Sequence, residues 1–150
     1  FKLKHYMRPY EPSELAELIV GNAKKLNVCI SQDGMETIAN ASRGTPRISN
    51  SLLEWVRDYG IAKGISSLNK SEVTEALIMQ GIDEKGMTPM DRNYLKALKK
   101  LSDGSAVGVN TLCSCLNIDR KTLEQKIEPF LIRNGYIRKT PKGRVLIKGI

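Results

Sequence analysis

Apolar residues recur at helical spacing from Leu15 to Leu131, and the spacing falls to two only after Gly135. A chain patterned this way folds as packed helices with one small β element at its C-terminal end. Helix starts are marked chemically. Pro12 follows Glu11, and Leu15, Leu18, Ile19 and Leu26 share one helical face. Asn27, with the β-branched Val28 and Ile30, ends that helix. Ser31 is placed to cap a second helix, with Met35, Ile38 and Ala39 inward. Thr45 caps a third helix and Pro46 opens it. Its stripe is Ile48, Leu52, Leu53, Val56 and Tyr59, and Gly60 and Gly64 mark its end. Asn69-Lys70-Ser71-Glu72 reads as a capping box for a fourth helix, faced by Val73, Ala76, Leu77 and Ile78. The first half is therefore expected to be a small four-helix bundle.

Gly81-Ile82-Asp83-Glu84-Lys85-Gly86 is polar, carries two glycines and reads as a linker or turn. Thr88-Pro89 opens another helix, with Met90, Leu95, Leu98 and Leu101 inward and Ser102-Asp103-Gly104 as its close. Asn110 caps a short helix holding Leu112 and Leu116. Asp119 caps a longer one faced by Leu123, Ile127, Phe130 and Leu131, with Pro129 predicting a kink or break. Gly135 stops it. Two short strands then flank a Pro141-Lys142-Gly143 turn, giving a β-hairpin. Helix, short helix, longer helix and hairpin is the order of a winged helix-turn-helix, whose third helix faces the major groove of DNA and whose hairpin is the wing. The fold class expected is mainly α: a helical bundle over residues 1–83 and a winged helix over residues 84–150.

The 150 residues carry a formal net charge of +8, and the surplus is not evenly spread. Residues 1–88 hold 11 basic and 11 acidic side chains, whereas residues 89–150 hold 13 basic and 5 acidic. The last 18 residues carry Arg133, Arg138, Lys139, Lys142, Arg144 and Lys148 with no acid. Such asymmetry points to two modules with different partners, the second suited to a polyanion. No run of 18 apolar residues exists, which excludes a membrane-spanning helix and predicts no membrane partner. The start, Phe1-Lys2-Leu3-Lys4-His5-Tyr6, has no apolar signal-peptide core and reads as the continuation of a longer chain. Three cysteines are too few for a disulfide framework and suggest a reducing cytosol.

Lys139, Lys142 and Arg144 lie within six residues around the hairpin turn, where long cations can reach successive phosphates. Arg120 and Lys121 open the recognition helix, and a cation there runs against the helix dipole, a weak sign of function. Gly44-Thr45-Pro46-Arg47 puts an arginine in a helix's first turn, where amides and guanidinium together can hold a phosphate. Tyr10 stands just before the first helix as a packing aromatic. Cys113 and Cys115 have no partners for a metal site and read as small packing residues. His5 is isolated. No Walker A sequence, paired-carboxylate motif or Ser-His-Asp set is present, so no complete catalytic site and no metal site are expected in this chain.

Ser42-Arg43-Gly44-Thr45-Pro46-Arg47-Ile48, Val56-Arg57-Asp58-Tyr59, Met90-Asp91-Arg92, Glu128-Pro129-Phe130-Leu131-Ile132, and Gly135-Tyr136-Ile137 through Thr140-Pro141-Lys142-Gly143-Arg144 occur in order. Together they resemble the C-terminal part of the RuvB family, across essentially the whole chain. That family comprises bacterial Holliday-junction branch-migration motors, AAA+ ATPases with a nucleotide-binding domain, a helical lid and a winged-helix DNA-binding domain. The resemblance implies that this chain is the lid and winged helix, and that Walker A, Walker B, sensor 1 and the arginine finger precede Phe1. It implies that the chain is inactive as an ATPase alone. Arg47 matches the sensor-2 arginine and Tyr10 the aromatic lining the nucleotide site. ATP or ADP with Mg2+ is the implied cofactor, held mainly by the preceding domain.

The family's DNA contacts fall on Arg120, Lys139 and Arg144, with Lys142 in the wing. Lys139-Thr140-Pro141-Lys142-Gly143-Arg144 stands where the family usually has Arg-Thr-Pro-Arg-Gly-Arg, which keeps charge and gives up the bidentate fork twice. Met7-Arg8-Pro9 departs from the commoner pattern before the tyrosine. Implied partners are double-stranded DNA at Holliday junctions, RuvA, RuvC and other RuvB subunits in a hexameric ring, in the bacterial cytoplasm. From the residues alone, a stand-alone winged-helix transcription regulator and a protein-docking winged helix stay open as alternatives.

Overall fold

The computed structural model describes residues 9–148. His5, Met7 and Arg8, singled out above, lie outside the described residues. The chain divides into two compact units, Phe1–Met87 and Thr88–Ile150.

The first unit is built from α1 (Pro12–Lys25), α2 (Gln32–Ala41), α3 (Pro46–Lys63) and α4 (Lys70–Met79). Its core comprises Leu15 and Ile19 of α1, Ile38 of α2, Leu52, Leu53 and Val56 of α3, and Val73, Ala76 and Leu77 of α4. Most of the expected stripes point there. Leu18 and Ile78 instead stand 40% and 62% exposed, because each lies at the margin of its helix's buried arc. Ser31 accepts from the Gly34 amide, and Asn69 and Glu72 form the full capping box. Asn27 (φ 55°) ends α1 in the left-handed conformation. A short parallel bridge, Ile30 to Leu68, ties the α1–α2 connection to the α3–α4 connection through Ser31 N–H to Leu68 O and Leu68 N–H to Cys29 O, each 2.9 Å. Trp55 Nε1 donates to the Ala76 carbonyl, 2.6 Å away.

One expectation for this unit is corrected. Gly60 does not stop α3, which runs on to Lys63 and ends at Gly64 (φ 69°). A Cβ on Gly60 would meet Leu68 Cδ1 at 3.0 Å, so the glycine makes room for Leu68. Of the two readings given for the Gly81–Gly86 stretch, linker or turn, the structure has an organised turn. Asp83 Oδ1 accepts the Lys85 and Met87 amides at 2.9 and 3.0 Å, and Gly86 lies against the Ala41 backbone.

The second unit begins with α5 (Pro89–Leu101), opened by a Thr88–Asp91 capping box, and α6 (Val109–Leu116). A third helical run follows: α7 (Arg120–Thr122), a π turn (Leu123–Ile127) and α8 (Glu128–Arg133). Strands β1 (Ile137–Thr140) and β2 (Gly143–Leu146) pair antiparallel, with Lys139 opposite Arg144 and Thr140 opposite Gly143. Pro129 does disturb its helix, one turn early. Its ring cannot sit against the carbonyl four residues back, and the π turn widens the spiral there, with Glu128 N–H donating to Leu123 O. Asn110 is not a cap: α6 starts from Gly108, directly after Val107 pairs with Arg144. Met90 and Leu101 are exposed, and α5 turns Asp91, Tyr94, Leu95 and Leu98 inward instead. Leu123, Ile127, Phe130 and Leu131 are buried as expected. Cys113 is half-buried, but Cys115 is exposed and does not take the packing role expected of it.

Among the described residues no helix is long and apolar enough to cross a membrane. No group of three or more His, Cys, Asp or Glu residues there could hold a metal.

Candidate nucleic-acid interface

The third helical run of the second unit starts cleanly. Asp119 accepts from the Thr122 amide at 3.2 Å and from the Thr122 hydroxyl at 2.5 Å. Those hydrogen bonds hold its carboxyl below the usual carboxylate range. The cap leaves Arg120 and Lys121 exposed in the first turn. Arg120 is 61% exposed and donates from Nε to Glu124 Oε1 at 2.6 Å, one turn on. This hydrogen bond, then the charges of Arg120, Lys139 and Arg144, depress the Glu124 pKa against the effect of burial.

The wing separates its cations. Arg138 and Lys139 in β1 and Lys142 in the turn are exposed. Arg144 is only 7% exposed. Its Nε donates to Glu128 Oε2 at 2.6 Å, and Nη2 donates to Glu128 Oε1 at 3.1 Å. Nη2 also lies 3.6 Å from Glu124 Oε1. Glu128 is fully buried and also accepts the Tyr94 hydroxyl on Oε2 at 2.5 Å. The two-pronged geometry is the strong form of a charge-assisted hydrogen bond, and with both ends out of water neither charge can be lost alone without stranding the other. The hydrogen bond to Glu128 raises the Arg144 pKa, and burial with that same carboxylate pushes the Tyr94 hydroxyl far up. Tyr94, Glu128 and Arg144 thus fasten α5, the start of α8 and the wing to one another.

The backbone repeats the fastening. Arg144 N–H donates to Val107 O at 2.8 Å and Val107 N–H donates to Arg144 O at 2.9 Å, adding a bridge to the edge of the hairpin. So Arg120 and Arg144, drawn from helix and wing, converge on Glu124, and Lys139 faces the same carboxylate electrostatically. Lys142 stands apart at the turn. Tyr94, Glu124 and Glu128 were missed by reading the sequence. The signal available was Glu128 itself, an acid on the helical face that also carries the apolar Ile127 and Leu131.

In the first unit, the backbone of Tyr10 is tied to the turn that precedes Arg47. The Tyr10 amide donates to the Gly44 carbonyl at 2.9 Å, and a Cβ on Gly44 (φ 75°) would strike Pro9 at 2.7 Å. That turn leads straight into α3. Thr45 occupies the capping position but its side chain makes no cap bond, so it does not fill the role expected of it. Arg47 follows in the first turn, exposed. Ser49, buried one position beyond Ile48, has a hydroxyl without a hydrogen-bond partner. The uncapped amides at the start of α3 and the exposed Arg47 guanidinium are groups that can meet an anion, whereas the Ser49 hydroxyl, two positions on, faces the interior and is not part of that surface.

Two family models divide the chain between them. Residues 10–83 match the RuvB AAA lid domain, and residues 84–149 match the RuvB C-terminal winged helix domain. The chain belongs to the RuvB family. Among RuvB relatives, the Holliday junction branch migration complex subunit of Fusobacterium nucleatum is 41% identical over 146 residues, covering 97% of this chain and 44% of that protein. The corresponding subunit of Rubrobacter xylanophilus is 43% identical over 136 residues, covering 91% of this chain and 38% of that one. The solved structure of the Thermotoga maritima RuvB Holliday junction branch migration motor superposes with a TM-score of 0.89 at 34% identity, over 93% of this chain and 47% of that one. The chain therefore has the RuvB lid and winged-helix fold, and it spans less than half the length of these relatives.

Proposed function

We propose that this chain is the lid and duplex-gripping end of an ATP-driven branch-migration motor acting on Holliday junctions in the bacterial cytoplasm. One observation carries the reading. In a RuvB-type winged helix, the two elements with which winged helices meet DNA both present exposed cations, Arg120 on the recognition helix and Lys139 and Lys142 on the wing. Exposed lysines and arginines on a turn and a helix start contact phosphates, and phosphates carry no sequence information. The grip is therefore indifferent to sequence, which suits a motor that moves along DNA. Arg144 enters as the residue that anchors the wing through Glu128, and Lys139 and Lys142 as the outward hands.

The lid half of the proposal rests on Tyr10 and Arg47. A bound ATP or ADP would place its phosphates near the α3 amides and Arg47, so that nucleotide state pulls on the first turn of α3. ATP supplies the free energy of hydrolysis. Mg2+ and the Walker motifs are assigned to the motor's ATPase domain, as the family resemblance implies. The same resemblance extends the partners to RuvA, RuvC and further RuvB subunits in a hexameric ring.

A salt titration with unrelated duplexes tests the DNA reading. Equal affinities with a steep salt slope support it. Preference for one operator sequence would favour a transcription regulator, and no DNA binding a protein-docking winged helix. Replacing Lys139 and Lys142 by Ala should weaken binding to every duplex alike and reduce the salt slope by about one per lysine. Unchanged affinity by fluorescence anisotropy removes the wing from the interface. Arg47→Ala, in the full-length motor, should cut steady-state ATP turnover by at least about tenfold, and normal turnover takes Arg47 out of the nucleotide site.

A further inference from the structure

Among the described residues of the second unit, Glu124 is the acid that touches both the recognition helix's first cation and the wing's arginine. One oxygen, Oε1, receives Arg120 Nε at 2.6 Å and lies 3.6 Å from Arg144 Nη2. The carboxylate is not needed to neutralise Arg144, which already has both prongs on the buried Glu128. Nor is it buried: its side chain is 31% exposed and Arg120 is 61% exposed. An anionic oxygen held between cations of helix and wing, open to solvent on one side, has the chemistry of a phosphate oxygen in such a cleft.

We propose that Glu124 is an internal substitute for a DNA phosphate, which an incoming duplex must displace from Arg120, and that it sets the strength of the grip. This inference rests on the duplex-binding reading above. Free of DNA, Arg120 is tied one turn down its own helix. When a phosphate arrives, the guanidinium exchanges one anion for another, and the net gain is the difference between the two. Glu124 remains as a like charge beside the phosphate. The contact is weakened in this way without being lost, as a translocating grip requires if it is to release at each step. An exposed pair of this kind adds little to folding, so its removal leaves the winged helix intact.

The test uses the 150-residue chain, Glu124→Gln, and a 30-base-pair duplex of arbitrary sequence at several salt concentrations. Glutamine keeps the size and a hydrogen-bonding oxygen but carries no charge. E124Q should bind roughly two- to fivefold tighter than the parent at low salt, with a salt slope steeper by up to about one. Asp103→Asn, which removes an exposed acid from the turn after α5, controls for net charge and should change affinity less. In an Arg120→Ala background the gain from E124Q should shrink towards that of the control. Equal affinity of parent and E124Q overturns the inference while leaving the duplex reading standing. Weaker binding by E124Q also overturns it, since Glu124 would then orient Arg120 for DNA rather than compete with it. Absence of duplex binding by either chain overturns the duplex reading and the inference together.

Discussion

Arg144→Ala should destabilise the winged helix by about 3–5 kcal/mol, more than any substitution at an exposed cation of this chain. Glu128 has no exposure to water and Arg144 very little. Deleting the guanidinium leaves a buried carboxylate with the Tyr94 hydroxyl and without its counter-charge. The cost arises from that stranded charge rather than from the loss of a favourable contact. It follows that removing both charges should hurt less than removing one. The double variant Arg144→Ala, Glu128→Gln should recover roughly 1–3 kcal/mol relative to the additive expectation. Urea unfolding of the single and double variants reads the coupling directly. Additive effects would mean that the pair contributes nothing as a pair. DNA affinity separates Arg144 from its neighbours by a second route. Lys139→Ala should lose affinity with unchanged stability, whereas Arg144→Ala should lose both, because the wing it anchors comes loose.

That contrast marks where the sequence stopped being informative. Helix starts were legible because Pro12, Pro46 and Pro89 are tolerated only at first turns, and because Ser31, Asn69, Thr88 and Asp119 can cap. The hairpin was legible from the change of period and the turn residues between Thr140 and Gly143. The direction of the wing's side chains was not. A period of two puts Lys139 and Arg144, paired across the hairpin, on one face, and gives no hint of which of the two reaches the body of the unit. Arg144 therefore looked like Lys139 and Lys142 in sequence, although its side chain enters the unit and theirs do not.

The inward face of α5 was misread for a related reason. Met90 and Leu101 are apolar and were expected inside. The interior positions went to Asp91, which serves the Thr88 cap, and to Tyr94, which serves Glu128. A polar cluster satisfied by its own hydrogen bonds leaves no mark on an apolar pattern. Glu124 escaped for the opposite reason. It looks like any surface acid on a helix, and only the convergence of Arg120 and Arg144 on one of its oxygens sets it apart.

Gly143→Ala should unfold or severely loosen the wing, at a cost of more than about 3 kcal/mol. In sequence Gly143 is the last residue of a Pro-Lys-Gly turn, and turn glycines are commonly replaceable at modest cost. Its surroundings say otherwise. Gly143 is buried at φ 138°, a region closed to side chains, and a Cβ there would lie 2.2 Å from the Val107 carbonyl oxygen and 2.6 Å from its carbon. Both obstacles are backbone, and neither can rotate away. The same Val107 makes the two hydrogen bonds with Arg144 that hold the hairpin edge, so relieving the clash means breaking them. Gly135 supplies the comparison. It too has a positive φ, 74°, but nothing lies within 4 Å of its Cβ position. Gly135→Ala should therefore cost only the backbone penalty of about 1–2 kcal/mol. Denaturant midpoints of the two variants test the ordering. Equal losses would show that conformational preference alone sets the cost at Gly143 and that the hairpin can retreat from Val107. A far larger loss at Gly143 identifies it as the residue that lets the wing's backbone close on the body of the winged helix, and so fixes where Lys139 and Lys142 stand.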